Sequence, residues 1–371
     1  MNREKTIFIT QALGYNGNLL YWNKIFEGIS EKNKNFRVFY PGPNVKLTDD
    51  LSLEKRVRLL RYKFNYGKSL YHYNLNLISP SFLYHVSKLK PKKIIISEFS
   101  IISFYVILYA FLFRSKVVLL IENDPKFVQK KHSLVRIIYR ILITKGVDSI
   151  IVNNILGKKY CTDELNFNAK KIHVLPYLTS QIEGGSLNKT NDKLTFLFVG
   201  QISKRKGIYQ IIKALDVVVN EKKNTNIELI VIGNGVELDN VKDLSSKINL
   251  KNHIRFKGNV DYDKLTVYFD EADVFINATL GDYRALIGFE ALSKGLPMIY
   301  SKFDGACLEV VKNNKNGFII DPNNLDEIVN GIVFFMENKE SLNMFSQESK
   351  LISRKFSFRA ITDNWTKIIN L

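Results

Sequence analysis

Cysteine and histidine are both scarce, with two cysteines and five histidines in 371 residues. Cys161 and Cys307 lie far apart without a CxxC pair, and the histidines show no metal-ligand spacing. We therefore expect neither a disulfide framework nor a structural zinc site. The first residues, MNREKTIFIT, lack a charged and then apolar leader with a small-residue cleavage site, so we expect a cytoplasmic protein.

Long apolar runs are also rare, and only IIISEFSIISFYVILYAFLF, residues 94–113, approaches the length of a bilayer span. Glu98 and three serines interrupt this run early. We predict a buried strand followed by a buried helix. The alternative at this point is a segment integral to a membrane.

Acidic residues are few relative to basic ones, 36 against 54, which gives a net charge of +18. Such an excess favours a polyanionic partner, whether nucleic acid, an anionic membrane surface or a phosphorylated substrate. We do not expect nucleic acid, because no helix-turn-helix, zinc finger or RNP-like motif accompanies the charge.

The most basic aromatic-rich stretch, residues 54–74, begins with apolar residues at helical spacing. These are Leu53, Val57, Leu60 and Phe64. The spacing predicts a surface helix near residues 53–64. Its basic flanks either face water or contact an anionic membrane.

Strand-like runs alternate with helix-length segments along the whole chain, the pattern of parallel sheets covered by helices. The predicted strands are residues 6–10, 37–40, 93–97, 116–121, 149–153, 171–176, 195–200, 227–233, 253–258, 273–277, 297–301 and 317–321. The length suits two domains, and the polar, turn-rich segment 179–192 is the predicted linker. We therefore predict an α/β protein with two Rossmann-like, doubly wound domains, residues 1–178 and 193–345.

Loops after the second-half strands are the candidate site, because open α/β sheets bind ligands beyond the carboxyl ends of their strands. One loop carries Lys204, Arg205 and Lys206 just before a predicted helix, an arrangement that can bind phosphate. The next is a GNG turn, Gly233 to Gly235 around Asn234, which lacks the third glycine of a dinucleotide fingerprint. Tight-turn geometry explains these two glycines equally well.

The decapeptide GDYRALIGFE, residues 281–290, has an acid before a predicted helix start and a second acid inside the helix. The amides of Ala285, Leu286 and Ile287 could bind a phosphate at the helix N-terminus. Asp282 and Glu290 could accept hydrogen bonds from sugar hydroxyls. Phosphate donors beside hydroxyl acceptors are what a nucleotide sugar requires.

The motifs VGQISKRKG, VIGNG, FKGNV, ADVFINATLGDY, GFEALSKGLPMI, GACLEVV and NGFIID follow one another over residues 194–330. Their order and spacing resemble family 4 glycosyltransferases, retaining enzymes of the GT-B fold. In the first half, TIFITQALGYNGNLLYWNKIFEGI resembles the opening strand, glycine loop and helix of that family, which implies that Gly17 contacts the donor nucleotide sugar. The tail, residues 346–371, resembles the last helix of the family, which crosses back to the N-terminal domain.

The resemblance implies that the C-terminal domain binds a nucleoside-diphosphate sugar and that the N-terminal domain binds the acceptor across a cleft. GDYRALIGFE fills the position of the E-x7-E motif, so Glu290 would bind ribose hydroxyls and Asp282 would face the transferred sugar. Lys206 would bind the diphosphate and stabilise the leaving group, with Arg205 as its helper. The donor-binding turns would include Gly200, Gly233, Asn234 and Gly235. No metal or other cofactor is implied.

The chain also departs from the family pattern. Gln201 replaces an arginine that many members have, so Arg205 or Arg284 would supply the missing phosphate cation. Ala285 stands where a glycine is usual. The histidine that many members carry after the fourth strand is absent from IENDP, residues 121–125. The candidate contacts to sugar or acceptor are Glu122, Asn123, Asp124 and Arg284.

The predicted function is transfer, with retention, of a sugar from a nucleoside-diphosphate sugar to a saccharide acceptor. We expect a lipid-linked acceptor at the cytoplasmic membrane face, in bacterial surface polysaccharide synthesis such as that of O-antigen, capsule or lipopolysaccharide. The alternatives are a nucleotide-sugar epimerase of the same fold and a noncatalytic nucleotide-sugar binder. A dinucleotide-dependent dehydrogenase is the weakest alternative, because only the GNG turn supports it.

Overall fold

The computed structural model describes residues 5–9, 16–39, 53–54, 59–64, 73–78, 81–122, 134–176 and 193–370. The chain divides into two compact units. The first contains Met1–Tyr177 and Phe358–Leu371, and the second contains Leu178–Ser357. The predicted linker and two candidate contacts, Asn123 and Asp124, lie outside the described residues.

A parallel sheet of seven strands forms the first unit, in the order β3-β2-β1-β6-β7-β8-β9. The strands of this unit are β1 Thr6–Ile9, β2 Phe36–Phe39, β3 Leu53–Glu54, β4 Leu59–Phe64, β5 Tyr73–Ile78, β6 Lys93–Ser97, β7 Lys116–Ile121, β8 Ser149–Val152 and β9 Ile172–Val174. Its first five helices are α1 Asn16–Lys32, α2 Ser81–Leu89, α3 Ile101–Phe113, α4 Leu134–Lys145 and α5 Ile155–Asp163. The central strands are continuous apolar runs such as KIIIS, which suits strands covered on both faces.

The second unit contains a six-stranded parallel sheet in the order β12-β11-β10-β13-β14-β15. Its strands are β10 Leu194–Val199, β11 Ile227–Ile232, β12 Ile254–Gly258, β13 Val274–Asn277, β14 Met298–Ser301 and β15 Gly317–Ile320. Its helices are α6 Ile208–Asp216, α7 Leu238–Lys247, α8 Leu265–Glu271, α9 Leu286–Ser293, α10 Cys307–Val310, α11 Leu325–Glu337 and α12 Ser341–Ser353. The strand order reverses between β10 and β13, which is where such sheets bind ligands.

All twelve predicted strands are present, and their ends differ from the predicted ones by at most two residues. Residues 94–113 form most of β6 and then α3, so they are not one continuous apolar helix. None of the helices in the described ranges is both long and apolar enough to cross a membrane.

The helix predicted near residues 53–64 is wrong, because this segment contains β3 and β4 instead. β4 pairs antiparallel with β5, and the register places Leu60 opposite Leu77 and Tyr62 opposite Leu75. The residues of β4 also alternate between apolar or aromatic and basic, and aromatic residues favour strands. The period-two pattern therefore prevails over the helical spacing that the sequence also contains.

The final helix, α13 Phe358–Asn370, packs on the first unit although the chain reaches it from the second. The boundary predicted at residue 346 lies at Phe358, because the preceding residues remain with the second unit. Trp365 is fully buried and lies edge-on to Trp22, with ring centroids 5.4 Å apart. Its indole N–H donates to the carbonyl of Pro176 at 3.1 Å. The Trp365 side chain thus joins the tail to α1, near the start of the chain, and to Pro176, near the end of the first segment of this unit.

Replacing Trp365 by alanine should remove this anchor and leave a cavity. We expect the free energy of unfolding to fall by about 3–5 kcal/mol, the usual cost of truncating a buried tryptophan. Chemical denaturation followed by circular dichroism measures it. Asn364→Ala, at the neighbouring exposed position of α13, is the matched control and should change stability by less than about 0.5 kcal/mol. Equal losses in both variants would contradict the anchoring role.

Candidate functional site

Three loops meet backbone to backbone at the carboxyl edge of the second sheet. The amide of Gly233 donates to the carbonyl of Gly258 at 2.8 Å. A Cβ built at Gly233, where φ is +130°, would lie 1.9 Å from the carbonyl oxygen of Gly200. Asn234 and Gly235 complete the turn, with a hydrogen bond from the Gly235 amide to Asn234 Oδ1 at 2.7 Å. Loop packing alone therefore requires glycine at position 233.

The basic loop after β10 forms a single 3₁₀ turn over Lys204–Lys206 and ends at Gly207, where φ is +73°. A Cβ at Gly207 would lie 1.8 Å from the carbonyl oxygen of Ala278, so the turn presses against the end of β13. The side chain of Lys204 is 77% exposed, whereas those of Arg205 and Lys206 are 18% and 19% exposed. The turn therefore leaves Lys204 largely exposed, with Nζ 3.8 Å from Glu237 Oε1, and directs the other two cations toward the loop after β13.

Asp282 receives both of the inward cations on one oxygen. Lys206 Nζ lies 2.5 Å and Arg205 Nη1 lies 3.2 Å from Asp282 Oδ2. Arg205 also donates to the carbonyl of Gly281 at 2.9 Å. Burial alone would raise the pKa of Asp282, but the charges of Lys206 and Arg205 outweigh burial and lower it. Three residues that the sequence predicted for one site are thus in direct contact.

Asp304, which the sequence analysis missed, is fully buried beside this cluster. Its carboxylate accepts hydrogen bonds from the amide of Ala306 at 2.9 Å and from the amide of Ala285 at 3.3 Å. It also accepts from Asn277 Nδ2 at 3.1 Å and from the hydroxyl of Tyr300 at 3.0 Å. The sequence signal was an acid three residues after the end of a buried strand, in KFDGA. Asp304 holds the start of α9 against the loop after β14.

The loops that carry the two acids are also joined through their backbones. The amide of Asp282 donates to the carbonyl of Phe303 at 3.1 Å, and the amide of Gly305 donates to the carbonyl of Asp282 at 3.0 Å. Burial, followed by the charge of Asp282, raises the pKa of Asp304 to about 6. Two neighbouring carboxylates therefore have pKa values shifted in opposite directions.

Glu290 lies inside α9, as predicted, and only 1% of its surface is exposed. The hydroxyl of Tyr262 donates to Glu290 Oε1 at 2.5 Å. Burial raises the pKa of Glu290 to about 7 although the hydrogen bond from Tyr262 opposes the shift. Of the three amides predicted to bind phosphate, that of Ala285 already donates to Asp304, whereas Leu286 and Ile287 begin the helix. The Tyr262 hydroxyl thus occupies Oε1, one of the two Glu290 oxygens that a ligand could use.

The predicted ligand contact of Arg284 is wrong. Its side chain is fully buried, with Nε and Nη2 donating to Glu309 Oε2 at 3.0 and 2.8 Å. The guanidinium also lies 4.1 Å from the ring centroid of Phe289. Arg284 is thus committed to the packing of α9 and α10. Because Nε and Nη2 already bond to Glu309, Arg205 is the better candidate for the cation that is absent at Gln201, and this role stays a prediction.

The remaining candidates lie in the first unit. The amide of Glu122 donates to Glu98 Oε1 at 2.8 Å, and burial raises the pKa of Glu98 to about 7. The sequence indicated only that Glu98 interrupts an apolar run. In the structure, Glu98 follows the end of β6 and its backbone φ is +64°. Gly17 lies in the first turn of α1 rather than in a loop.

Comparison with known proteins identifies the fold around this cluster. Residues 181–351 match the family model of glycosyl transferases group 1. This part of the chain is thus similar to group 1 glycosyltransferases. Two solved structures cover 98% of the chain and 99% of their own: the apo form of the lipopolysaccharide outer core galactosyltransferase WaaB, with a TM-score of 0.75 and 15% identity, and Anabaena HepE in complex with UDP, with 0.72 and 16%. The fold is GT-B.

Two curated relatives align with 64% and 60% of the chain. An uncharacterized glycosyltransferase of Haemophilus influenzae is 22% identical over 236 residues, which are 64% of this chain and 65% of that protein. The UDP-Gal:alpha-D-GlcNAc-diphosphoundecaprenol alpha-1,3-galactosyltransferase of Escherichia coli is 25% identical over 240 residues, 60% of this chain and 61% of that protein. The chain thus spans less than two thirds of the length of these two relatives.

Replacing Glu290 by glutamine should change how the stability of the protein depends on pH. The pKa of Glu290 is about 7 in the folded protein, against an ordinary value of 4.5. The folded state therefore holds an extra proton between these values, and its stability falls as the pH rises through this window. Glutamine carries no such charge. The variant should therefore compare better with wild type at high pH. We expect the unfolding free energy of Glu290→Gln minus that of wild type to be about 2 kcal/mol larger at pH 8 than at pH 5.

Denaturant titrations at both pH values measure this difference. The exposed Glu340 provides the control, and Glu340→Gln should follow the wild-type pH profile. If the Glu290→Gln profile also runs parallel to wild type, Glu290 is not held at a raised pKa.

Proposed function

We propose that the protein is a retaining glycosyltransferase that moves a sugar from a nucleoside-diphosphate sugar to a saccharide acceptor. The observation that carries the proposal is the convergence of Lys206 and Arg205 on one carboxylate oxygen of Asp282. Two cations placed around one anionic oxygen form charge-assisted hydrogen bonds that a phosphate oxygen can also accept. The carboxylate thus occupies the position that a donor phosphate would take.

The neighbouring elements support a diphosphate at this place. The cluster lies at the carboxyl edge of the sheet, where the strand order reverses. α9 begins at Leu286, and the side chain of its N-cap residue makes no hydrogen bond to its first amides. The positive end of the helix dipole lies at these amides, near this edge. Side-chain cations and helix amides together match the charge of a diphosphate.

In the proposed reaction, the bond between the anomeric carbon and the donor phosphate oxygen breaks. The acceptor hydroxyl oxygen forms the new bond to that carbon on the same face, and the hydroxyl proton passes to the departing phosphate oxygen. The nucleoside diphosphate leaves with the electron pair of the broken bond. Lys206 and Arg205 would stabilise the negative charge that develops there, so the proposal requires no metal ion.

The two acids of GDYRALIGFE would bind hydroxyls. Glu290 would accept hydrogen bonds from the ribose once Tyr262 leaves it, because a carboxylate can replace one hydroxyl donor by another without loss of charge stabilisation. Asp282, released from Lys206 and Arg205 by the phosphate, would accept from the transferred sugar.

We further propose a lipid-linked acceptor at the cytoplasmic face of the plasma membrane, in bacterial surface polysaccharide synthesis. The Escherichia coli relative is named for a diphosphoundecaprenol-linked acceptor, and WaaB for the lipopolysaccharide outer core. The net charge of +18 favours peripheral contact with an anionic membrane surface.

Lys206→Ala should lower the rate of sugar transfer at least about a hundredfold, since it removes a cation from the developing charge. Lys204→Ala provides a matched control, because Lys204 belongs to the same turn but is largely exposed and lies near Glu237 instead of Asp282. This control should retain a rate within about twofold of wild type. Rates are measured as nucleotide release at saturating donor, with folding checked by circular dichroism. A similar loss in both variants would remove Lys206 from the site.

A panel of UDP-, GDP- and dTDP-sugars tests the reaction class, beginning with UDP because HepE was solved with it. We expect nucleotide release from one donor, dependent on a saccharide or lipid-linked acceptor and unchanged by EDTA. Conversion of the donor sugar to its epimer without acceptor would indicate an epimerase. Binding without turnover would indicate a noncatalytic binder, and preferential stabilisation by NAD would contradict the proposal.

A further inference from the structure

The outer face of α3 is apolar, although α3 was predicted to be a buried helix. Phe104, Leu108, Phe111 and Leu112 are 54%, 47%, 82% and 66% exposed. They recur at intervals of four, three and one residues and so share one side of the helix. The opposite side, which includes Val106, is buried against the sheet. A helix at a water-facing surface normally carries polar residues on that side.

α4 has a similar outer face. Leu134, Ile138 and Leu142 are 77%, 57% and 61% exposed, and their spacing of four residues places them in one stripe. The buried residues of this helix, Ile143 and Thr144, lie on another side. Two consecutive helices of the first unit thus present apolar side chains outward.

The two helices lie side by side and run in the same direction. The hydroxyl of Tyr139 donates to the carbonyl of Ser100 at 2.7 Å. Further along both helices, a Cβ built at Gly146 would lie 2.4 Å from Ile107 Cγ2. Because both pairs are separated by the same number of residues, the helices are parallel neighbours. We call the exposed apolar residues of α3 and α4 together the apolar face: Phe104, Leu108, Phe111, Leu112, Leu134, Ile138 and Leu142.

The charged residues that α3 and α4 themselves contribute around the apolar face are all basic. Neither helix contains an aspartate or a glutamate. Arg136 and Lys145 are exposed on α4, and Arg114 is exposed at the end of α3. An apolar patch of this extent marks an interaction site. The cations on the same two helices favour a partner that is anionic at the rim and apolar in the centre.

We propose that the apolar face inserts into the interfacial region of an anionic phospholipid bilayer. Leucine and phenylalanine side chains would enter the boundary between headgroups and acyl chains, while the cations contact lipid phosphates. A second copy of this chain fits less well, because a symmetric pairing of this face would bring arginine and lysine against arginine and lysine.

The surface differs from the one that the sequence suggested, since the basic segment near residues 53–64 forms β3 and β4. The inference identifies the surface that would make the membrane contact of the proposed function. It rests on the proposed function only for the reason why the protein would be at a membrane. Its test requires neither donor nor acceptor, so the two proposals can fail separately.

The test is co-sedimentation of the full chain with vesicles of phosphatidylcholine containing one third phosphatidylglycerol. We expect Phe111→Ser with Leu112→Ser, or Ile138→Ser with Leu142→Ser, to lower the partition coefficient at least about tenfold through the lost apolar insertion. The matched control is Val267→Ser with Met344→Ser, two exposed apolar positions of the second unit at 64% and 60% exposure. It should leave binding unchanged. Pure phosphatidylcholine vesicles should bind wild type more weakly.

Three results would overturn the inference. One is the absence of wild-type binding to the anionic vesicles. Another is equal binding by wild type and both double variants, which would make the contact purely electrostatic. The third is a wild-type dimer in sedimentation velocity that Phe111→Ser with Leu112→Ser converts to a monomer, because the apolar face would then be a contact between copies.

Discussion

The carboxylate of Asp304 is the constraint on which the candidate site depends. It is fully buried, and a buried carboxylate without partners would cost several kcal/mol. Four donors surround it: the amides of Ala285 and Ala306, the side-chain amide of Asn277 and the hydroxyl of Tyr300. These donors come from the end of β13, the start of α9 and the segment of β14 with its loop. One side chain therefore fixes the relative position of the elements that carry the candidate donor-binding residues.

The consequence for Asp282 is a fixed backbone and an adjustable side chain. Its amide and carbonyl are both bonded to the loop that contains Asp304. Its carboxylate, in contrast, is held by two side-chain cations, and long lysine and arginine side chains can reorient. The neighbouring acids also differ in pKa, because Lys206 and Arg205 lower the pKa of Asp282 while burial raises that of Asp304 to about 6. The site thus places an ionised acid, with movable partners, on a rigid loop.

The sequence predicted every strand of the two large sheets except the two-residue β3, because buried parallel strands are continuous apolar runs with turn residues at their ends. It also identified Lys206, Arg205 and Asp282, whose positions follow from loops at the carboxyl edge. It failed where two patterns coexist, as in β4, whose pairing with a distant strand has no local signal. It also failed to predict the burial of Arg284. A charged residue in a loop gives no local sign of a buried partner such as Glu309.

The charges of the cluster constrain how a donor would bind. Lys206 and Arg205 against Asp282 leave one net positive charge. A diphosphate brings two negative charges, so the same cations cannot hold the phosphate and Asp282 equally well. The phosphate would take the cations, and Asp282 would retain only neutral donors such as sugar hydroxyls. Because aspartate is one methylene shorter than glutamate and its backbone is bonded on both sides, its reach is short. In the proposed function, the sugar would therefore have to bring a hydroxyl close to the loop, and position 282 would constrain which sugars fit.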